Sequence, residues 1–344
     1  MKIKFLTFAT GIVMAIASHY ALSSEFWKSP HKGFNIHPDI TTAEILEIKS
    51  LGASIVRLSF DTVSLINKHP PYNINQEAIS RLNEIIKLCE DQDLFVILDL
   101  HTAPGLESNF TTTPNDSLWR SQEKQHILIE AWRDIAKQYK YRSRALIAYD
   151  ILNEPSMAEG YHVGGHGDWN ILANKIVSTI RQYDKKTTIL IEPAAKLTSN
   201  GKLNTRAEAM DDLTPIEDRN IVYSPHVYTP LQYTHQGIGL KNFKNRTYPG
   251  FFENEYWDKE KLREALKPIR DFQTKYDVNI FIGEFSAING APGREAYLRD
   301  LISLFDEYQW GWTYHDYSNS KYWSPKSEFS NDDHTLLLLK RSFN

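Results

Sequence analysis

Short runs of apolar residues alternate along the chain with longer stretches in which apolar positions recur at a helical period. The apolar runs predict strands and the periodic stretches predict helices. The predicted strands are residues 33–37, 54–60, 95–101, 146–155, 187–193, 221–229, 280–286 and 311–318. The predicted helices lie near 42–51, 75–91, 121–139, 168–183, 258–276, 293–307 and 332–342. Only the segment between the fifth and sixth strands lacks a convincing long helix.

The strand runs show how the sheet is covered. Residues 95–98 and 189–191 are apolar without alternation, as in strands that are buried on both faces. Parallel strands joined by helices follow from this pattern, and eight such units favour an α/β fold of the (β/α)8 TIM-barrel type. An open doubly wound sheet is the alternative, but no Gly-x-Gly-x-x-Gly element follows the first strand. No repeat or linker divides residues 24–344, which predicts a single domain.

The first residues have the layout of a secretory signal peptide. Lys2 and Lys4 precede an apolar run over residues 5–17, and small residues follow near Ser23. A membrane-spanning helix needs roughly 20 apolar residues, and His19 and Tyr20 interrupt this run. We therefore expect a signal peptide at residues 1–23, a secreted or periplasmic protein, and no stable membrane anchor.

Composition narrows the range of partners. The net charge is −4, and no block of basic residues is present, which argues against a nucleic-acid partner. Aromatic residues make up 12% of the chain, and their rings suit both core packing and sugar faces.

Cys89 is the only cysteine, so no intramolecular disulfide can form, and it lies in the apolar stripe of a predicted helix. We expect a monomer.

Side chains capable of chemistry recur at the carboxyl ends of the predicted strands. In a closed barrel these ends meet on one face, where the active sites of this fold lie. The residues are Asn35, Arg57, His101, Asn153, Glu154, His226, Tyr228, Glu284 and His315.

Two glutamates on opposite sides of the predicted mouth suggest the reaction. Glu154 ends a buried strand in Asn-Glu-Pro, where burial is expected to raise its pKa so that it can donate a proton. Glu284 ends the seventh strand in Ile-Gly-Glu-Phe. Carboxyl groups about 5–5.5 Å apart support double displacement at a sugar, whereas a wider gap admits water directly and inverts the configuration. The sequence leaves that gap open.

Other strand-end residues fit supporting roles around this pair. Arg57 is expected to keep Glu284 ionised, since a nearby cation lowers the pKa of a carboxylate. Tyr228 can donate a hydrogen bond to the same glutamate, and Asn153 can bind a sugar 2-hydroxyl.

The two histidines nearest these positions have two candidate roles. His101 and His226 can hold sugar hydroxyls or tune Glu154, although histidine is also common as a satisfied core residue.

The set of motifs resembles glycoside hydrolase family 5. The matching pieces, in the family's order, are residues 33–35 (Gly-Phe-Asn), 55–58 (Ile-Val-Arg-Leu), 98–101 (Leu-Asp-Leu-His), 152–155 (Leu-Asn-Glu-Pro), 226–228 (His-Val-Tyr) and 282–285 (Ile-Gly-Glu-Phe). The resemblance implies a retaining mechanism with Glu154 as acid/base and Glu284 as nucleophile. It implies assistance from Arg57, His101, Asn153, His226 and Tyr228. No metal or organic cofactor is implied.

The resemblance also indicates the substrate class, a β-linked polysaccharide or oligosaccharide. An endo-β-1,4-glucanase is expected first, and β-mannanase, xyloglucanase and mixed-linkage or β-1,3-glucanase activities are the alternatives. Loops around the cleft decide between these substrates, and sequence patterns do not resolve them.

The eighth strand departs from the family. The family generally has a tryptophan there as the floor of the −1 sugar site, and this chain has His315 at that position. Trp323, in the following loop, is the candidate to supply the ring instead. Trp310 and Trp312 are expected to pack, since neighbouring strand positions face opposite sides.

Two other classes of function fit the sequence less well. A metal-dependent barrel hydrolase would need clustered ligands at strand ends, but the first strand offers only His37. His162, His166 and Asp168 lie in a glycine-rich loop that is better read as the rim of an active site. A glycan-binding barrel without catalysis would normally lack one of the two carboxylates.

The long segment from residue 229 to 257 is rich in aromatic residues. Phe251, Phe252, Tyr256 and Trp257 are candidates either to stack on sugar units or to pack within the loop.

Overall fold

The computed structural model describes residues 25–66, 72–106, 117–140, 142–157, 164–165, 167–196, 204–238, 243–252, 254–327, 330–331 and 333–343. The predicted signal peptide, together with His162 and His166, lies outside the described residues.

Eight parallel strands close into a barrel. They are β1 (Lys32–Ile36), β2 (Ile55–Phe60), β3 (Phe95–Leu100), β4 (Leu146–Asp150), β5 (Thr188–Ile191), β6 (Ile221–Tyr223), β7 (Asn279–Phe285) and β8 (Gly311–Tyr314). Each strand pairs with the next along the chain, and β8 pairs with β1. The predicted (β/α)8 TIM barrel is confirmed.

The main helices follow the strands. They are α1 (Thr42–Leu51), α2 (Gln76–Asp91), α3 (Gln122–Tyr139), α4 (Trp169–Tyr183), α5 (Lys259–Ala265), α6 (Lys267–Tyr276), α7 (Arg294–Glu307) and α8 (Asp333–Phe343). Short helices are Thr62–Leu65, Ser117–Arg120 and Leu231–Thr234, and a 3-10 helix spans Glu208–Asp212 between β5 and β6. In the described part of the chain, no helix combines the length and apolar character needed to cross a membrane.

Several of the predicted element boundaries were wrong. The predicted strands 146–155, 221–229 and 311–318 end earlier, at Asp150, Tyr223 and Tyr314. Apolar residues beyond the first two strands are buried without continuing the strand. The predicted helix 258–276 is divided at Leu266, and Pro268 lacks the N–H group that a continuous helix would bond to Glu264.

Three short two-stranded sheets lie outside the barrel in the described residues. Gly250–Phe252 pairs with Glu255–Trp257, Lys326–Ser327 pairs with Ser330–Asn331, and Ser156–Met157 runs parallel to Ala195–Lys196.

The lower interior of the barrel is apolar. Trp27 closes the amino-terminal end of the strands, where its indole nitrogen donates to Thr188 Oγ1 at 2.9 Å and its ring lies 5.5 Å from that of Phe281. The residues that form this cluster with Trp27 are Ile55, Ile97, Ala148, Leu190, Val222 and Phe281.

A polar layer lies directly above the apolar one. Strand side chains that are two positions apart face the same side, so the residues that follow the apolar layer by two also point inward. Arg57, Asp99, Asp150 and Glu192 occupy these positions, and each is at most 1% exposed. The barrel therefore carries a buried charged layer immediately beneath its mouth.

The residues expected to pack do so. Trp310 and Trp312 are fully buried in the core that faces the helices, and Cys89 is buried on α2. The opposite phase of the neighbouring positions directs Thr313 inward, where its hydroxyl donates to Gly283 O.

Candidate active site

Arg57 occupies the centre of the charged layer. It is the third residue of β2 and lies inside the barrel, so the prediction that it stands at a strand end was wrong. Its guanidinium nevertheless reaches the mouth, since five N–H donors on a long side chain span several strands. Its contacts, each 2.9–3.0 Å, are with Asn35 Oδ1, Asp99 Oδ1, Asp150 Oδ2, Asn153 Oδ1, Glu192 Oε1 and Glu284 Oε1.

Glu284 lies on β7, beside a register shift between Ile282 and Phe285. Its Oε1 accepts from Arg57 Nη1 at 2.9 Å, and its Oε2 accepts from the Tyr228 hydroxyl at 2.8 Å. His315 Nδ1 lies 3.4 Å from Oε2. Burial alone would raise the pKa of Glu284, but His315, His226 and Arg57 outweigh it and lower that pKa to about 2.

Glu154 lies beyond the end of β4 and faces the carboxylate of Glu284, with 29% of its side chain exposed. His226 Nδ1 lies 3.0 Å from Glu154 Oε1, and Arg206 Nη2 lies 3.5 Å from Oε2. The backbone N–H donates to Glu192 Oε2 at 2.8 Å, and φ is 45°. A residue with a β-carbon rarely adopts this left-handed conformation.

The prediction that the pKa of Glu154 is raised was wrong for the protein without substrate. Burial does favour a higher pKa, but Arg206 and His226 outweigh it and hold the pKa below its ordinary value. Burial alone therefore does not determine the pKa of Glu154. Arg206 comes from the segment between β5 and β6, and sequence patterns gave no sign that it would reach the glutamate.

The two carboxylates come together over the barrel. A carboxylate oxygen of Glu154, one of Glu284 and a ring nitrogen of His226 all lie within 4.8 Å of one another. Among the described residues, this is the one group of three acidic, histidine or cysteine side chains arranged so that it could hold a metal ion. Arg57, Tyr228 and Arg206 already contact these oxygens, so the site suits an acid pair better than a cation.

His226 stands between three carboxylates. Its Nδ1 is 3.0 Å from Glu154 Oε1 and 3.8 Å from Glu284 Oε2, and its Nε2 is 3.1 Å from Glu192 Oε1. Burial lowers the pKa of His226, but Glu192 and Glu284 more than compensate and raise it to about 10. Gly283 leaves room for the ring, because a β-carbon there would lie 2.8 Å from Nε2.

His101 and Asn153 are held by the charged layer below them. His101 Nδ1 lies 2.7 Å from Asp99 Oδ2, and Asp99 raises the pKa of His101 to about 9 against the lowering effect of burial. Asn153 Oδ1 accepts from Arg57, and 6% of Asn153 is exposed.

Asn35, predicted to bind substrate, does not reach the cleft. It is fully buried, its Nδ2 donates to Gly283 O at 2.9 Å, and its Oδ1 accepts from Arg57. Both ends of the amide are thus used within the protein, and Asn35 connects β1 to Arg57 and β7.

Aromatic and imidazole rings line the side of the site near β8. The Trp323 ring centroid lies 5.7 Å from that of His315, 6.2 Å from Tyr228 and 5.1 Å from His235. Trp323 from the loop is therefore beside His315, although only 6% of it is exposed. Burial lowers the pKa of His235 to about 4, so this ring is neutral.

Several buried residues of the site were missed by the sequence analysis. Asp99, Asp150 and Glu192 follow inward apolar residues by two positions, and this alternation is a signal that could have found them. Arg206 and His235 lie in loops with no periodic pattern, so no sequence signal marked them.

The aromatic residues of the loop before α5 divide into two groups. Phe251 and Tyr256 are 69% and 50% exposed and contact each other, while Phe252 and Trp257 are buried. Asp168 is the N-cap of α4: its Oδ1 accepts from Asn170 N in the helix, and its Oδ2 accepts from Gly164 N in the preceding segment.

Comparison with known proteins agrees with this architecture. The family model "Cellulase (glycosyl hydrolase family 5)" matches residues 21–321. Endoglucanase C of Acetivibrio thermocellus is 28% identical over 80% of this chain and 84% of its own length. Cellodextrinase A of Ruminococcus flavefaciens is 23% identical over 78% of this chain and 71% of its own length.

Solved structures share the fold. Thermotoga maritima Cel5A in complex with cellobiose superposes with a TM-score of 0.73 at 23% identity, covering 91% of this chain and 98% of that chain. The cellulose synthase subunit Z of Clostridioides difficile gives a TM-score of 0.70 at 21% identity, covering 90% and 99%. The barrel, the order of its motifs and the family match over most of its length lead to one conclusion: the chain belongs to glycosyl hydrolase family 5, the cellulase family, and is a glycoside hydrolase.

Proposed function

We propose that this chain is a retaining endo-β-1,4-glucanase in which Glu154 is the acid/base and Glu284 is the nucleophile. The carrying observation is that oxygens of the two carboxylates lie within 4.8 Å of one another. Retaining glycosidases have carboxyl groups about 5–5.5 Å apart, whereas inverting enzymes need about 6.5–9.5 Å to admit a water. The short gap supports double displacement.

In the first half of the reaction, Glu284 attacks the anomeric carbon. The bond from that carbon to the leaving oxygen breaks, and Glu154 delivers a proton to the oxygen as it departs. The low pKa of Glu284 supports this role, since the group is ionised at any working pH. The hydrogen bonds from Arg57 and Tyr228 orient the carboxylate toward the sugar.

In the second half, water releases the sugar. Glu154, now ionised, removes a proton from water, and the oxygen of that water bonds to the anomeric carbon as the ester to Glu284 breaks. The configuration is inverted twice and so retained overall. The partial exposure of Glu154 leaves it accessible to both the leaving group and the incoming water.

The substrate assignment draws on the relatives. Endoglucanase C, at 28% identity, is named for internal cleavage of glucan, and together with the match to the cellulase family model this supports a β-1,4-glucan as substrate. The −1 site of this chain differs from the usual family pattern, with His315 and Trp323 in place of one tryptophan on β8. Activity on mannan, xyloglucan or β-1,3-glucan is therefore the outcome to compare in the same assay.

Proton NMR of the reaction at early times tests the mechanism. A cellooligosaccharide should yield the β-anomer first, followed by slow mutarotation; the α-anomer first would indicate inversion and overturn the mechanism. Reducing-end release from carboxymethylcellulose, barley β-glucan, glucomannan, xylan and xyloglucan tests the substrate. A rapid fall in viscosity with few new reducing ends indicates endo action.

Export by a signal peptide at residues 1–23 is part of the proposal. Amino-terminal sequencing of the protein recovered outside the cytoplasm should begin near Ser24. Recovery in the cytoplasm with Met1 intact would contradict export.

A further inference from the structure

We propose that Glu192 is a positioning residue that holds the backbone of Glu154 in place and keeps a proton on the Glu154–His226 pair. This inference rests on the proposed acid/base role of Glu154. No motif pointed to Glu192, which lies one residue beyond β5 and is 1% exposed. Its carboxylate contacts the two residues of the pair through different atoms.

The first contact fixes the backbone of Glu154. Glu192 Oε2 accepts from the Glu154 N–H group at 2.8 Å, at the residue whose φ is 45°. A non-glycine residue in this conformation persists only where its surroundings hold it. A charged acceptor is a strong partner for an N–H group. Glu192 thus secures the conformation that directs the Glu154 side chain toward Glu284.

The second contact places a negative charge behind His226. Glu192 Oε1 lies 3.1 Å from His226 Nε2, and on the other side of the ring His226 Nδ1 lies 3.0 Å from Glu154 Oε1. Two carboxylates on opposite ring nitrogens stabilise the doubly protonated imidazolium. The pKa of His226, raised to about 10, agrees with this geometry.

This arrangement supplies the proton that Glu154 lacks in the free protein. The proton moves from His226 Nδ1 to Glu154 as Glu154 protonates the leaving oxygen, and His226 becomes neutral. In the second half, Glu154 takes a proton from water and the pair regains it. No other donor is needed, and the proton count balances over one turnover.

Other titratable groups also face the Glu154–His226 pair. The acidic groups are Glu284 on β7 and Asp150 on β4, and the cationic or polar groups are Arg57, His101, Arg206 and Tyr228. Arg206 and His101 lower the pKa of Glu154 and so favour its ionised form. Glu192 contacts both Glu154 and His226 and is not itself one of the proposed catalytic residues.

The test compares Glu192→Gln with Asp150→Asn. Both side chains accept a hydrogen bond from Arg57, but only Glu192 also contacts Glu154 and His226. Burial and Glu192 raise the pKa of Asp150 and so favour its neutral form, and Asp150→Asn is therefore expected to change the local charge less than Glu192→Gln does. It controls for the loss of an Arg57 contact.

Glu192→Gln should lower kcat by about 10–100-fold, a part of what general acid–base catalysis contributes, and should change KM little. Loss of the negative charge lowers the pKa of His226. The alkaline limb of kcat/KM should therefore move to lower pH by about 1–3 units, whereas Asp150→Asn should leave the limb in place. A limb that does not move in Glu192→Gln, or moves equally in both variants, would overturn the inference.

Nitrogen-15 NMR of the histidine rings in the wild-type protein tests the same claim without that variant. The His226 signals, assigned by comparison with His226→Gln, should show both nitrogens protonated at pH 8. A neutral ring at pH 8 would overturn the inference. If Glu154→Gln and Glu284→Gln are both active, the proposed function fails; if they are inactive but the Glu192 results are negative, only this inference fails.

Discussion

Arg57 Nη1 donates to Glu284 Oε1 at 2.9 Å, and neither side chain is more than 6% exposed. The nucleophile proposed here is therefore bonded to the charged layer inside the barrel, not to solvent. The same guanidinium contacts Asp99, Asp150 and Glu192, so one side chain joins the interior of the barrel to its mouth.

Replacing Arg57 should damage folding as well as activity. Arg57→Met leaves several buried carboxylates without their cation, and breaking such a buried pair costs about 3–5 kcal/mol. Urea denaturation followed by circular dichroism should show a loss of unfolding free energy of this size. A loss below about 1 kcal/mol would contradict the central position of Arg57.

The two catalytic roles should separate by chemical rescue. Glu154→Gln and Glu284→Gln should each lower turnover by several orders of magnitude, since each removes one half of the double displacement. Azide should restore activity only to Glu154→Gln on an activated aryl glycoside, because that leaving group needs no acid and azide can attack the glycosyl ester. Equal rescue of both variants, or near-normal activity of either, would count against the assignment.

Tyr228 should matter through its hydroxyl. Tyr228→Phe removes the 2.8 Å hydrogen bond to Glu284 Oε2, and hydrogen bonds to charged groups contribute about 1.5–3 kcal/mol. The pKa of Glu284, now about 2, should rise, because its ionised form loses a donor. The acidic limb of kcat/KM should then move to higher pH.

Tyr233→Phe is the matched control for that change. Its hydroxyl donates to Pro292 O at 3.0 Å and does not contact either carboxylate. Its pH profile should match that of the wild type; an equal shift in both variants would show that the effect does not arise at Glu284.

Trp323 should act in substrate binding in place of the tryptophan that the family generally has at the position of His315. Trp323→Ala should lower kcat/KM on cellooligosaccharides by about two- to ten-fold, since an aromatic contact contributes about 0.5–1.5 kcal/mol beyond its burial. Trp323→Phe should retain most of the activity. Thermal unfolding of both variants separates this effect from loss of packing, and unchanged kinetics in Trp323→Ala would exclude the role.

The barrel and the approach of the two glutamates could be predicted because both depend on regular structure. Eight buried apolar runs separated by helices determine the topology, and closure then brings the ends of β4 and β7 to one face. The alternation that directs Trp312 outward also directs Thr313 inward. These features follow from short-range periodicity.

The electrostatics could not be predicted in the same way. The pKa of Glu154 depends on Arg206, which reaches it from an irregular segment after β5, and on His226, whose charge depends on Glu192. Such contacts arise from loop conformations that leave no periodic pattern in the sequence. The early ends of β4 and β6 were missed for a related reason, since Ile151 and Val227 are apolar but belong to buried loops.

Trapping the glycosyl ester tests the central claim most directly. The protein is incubated with an activated 2-deoxy-2-fluoro-β-cellobioside, which slows the second half of the reaction, and the digested protein is then analysed by mass spectrometry. The account predicts one added fluorinated disaccharide on the peptide that contains Glu284, and none in Glu284→Gln. A label on Glu154, or steady turnover of natural substrate with no label at all, would contradict it.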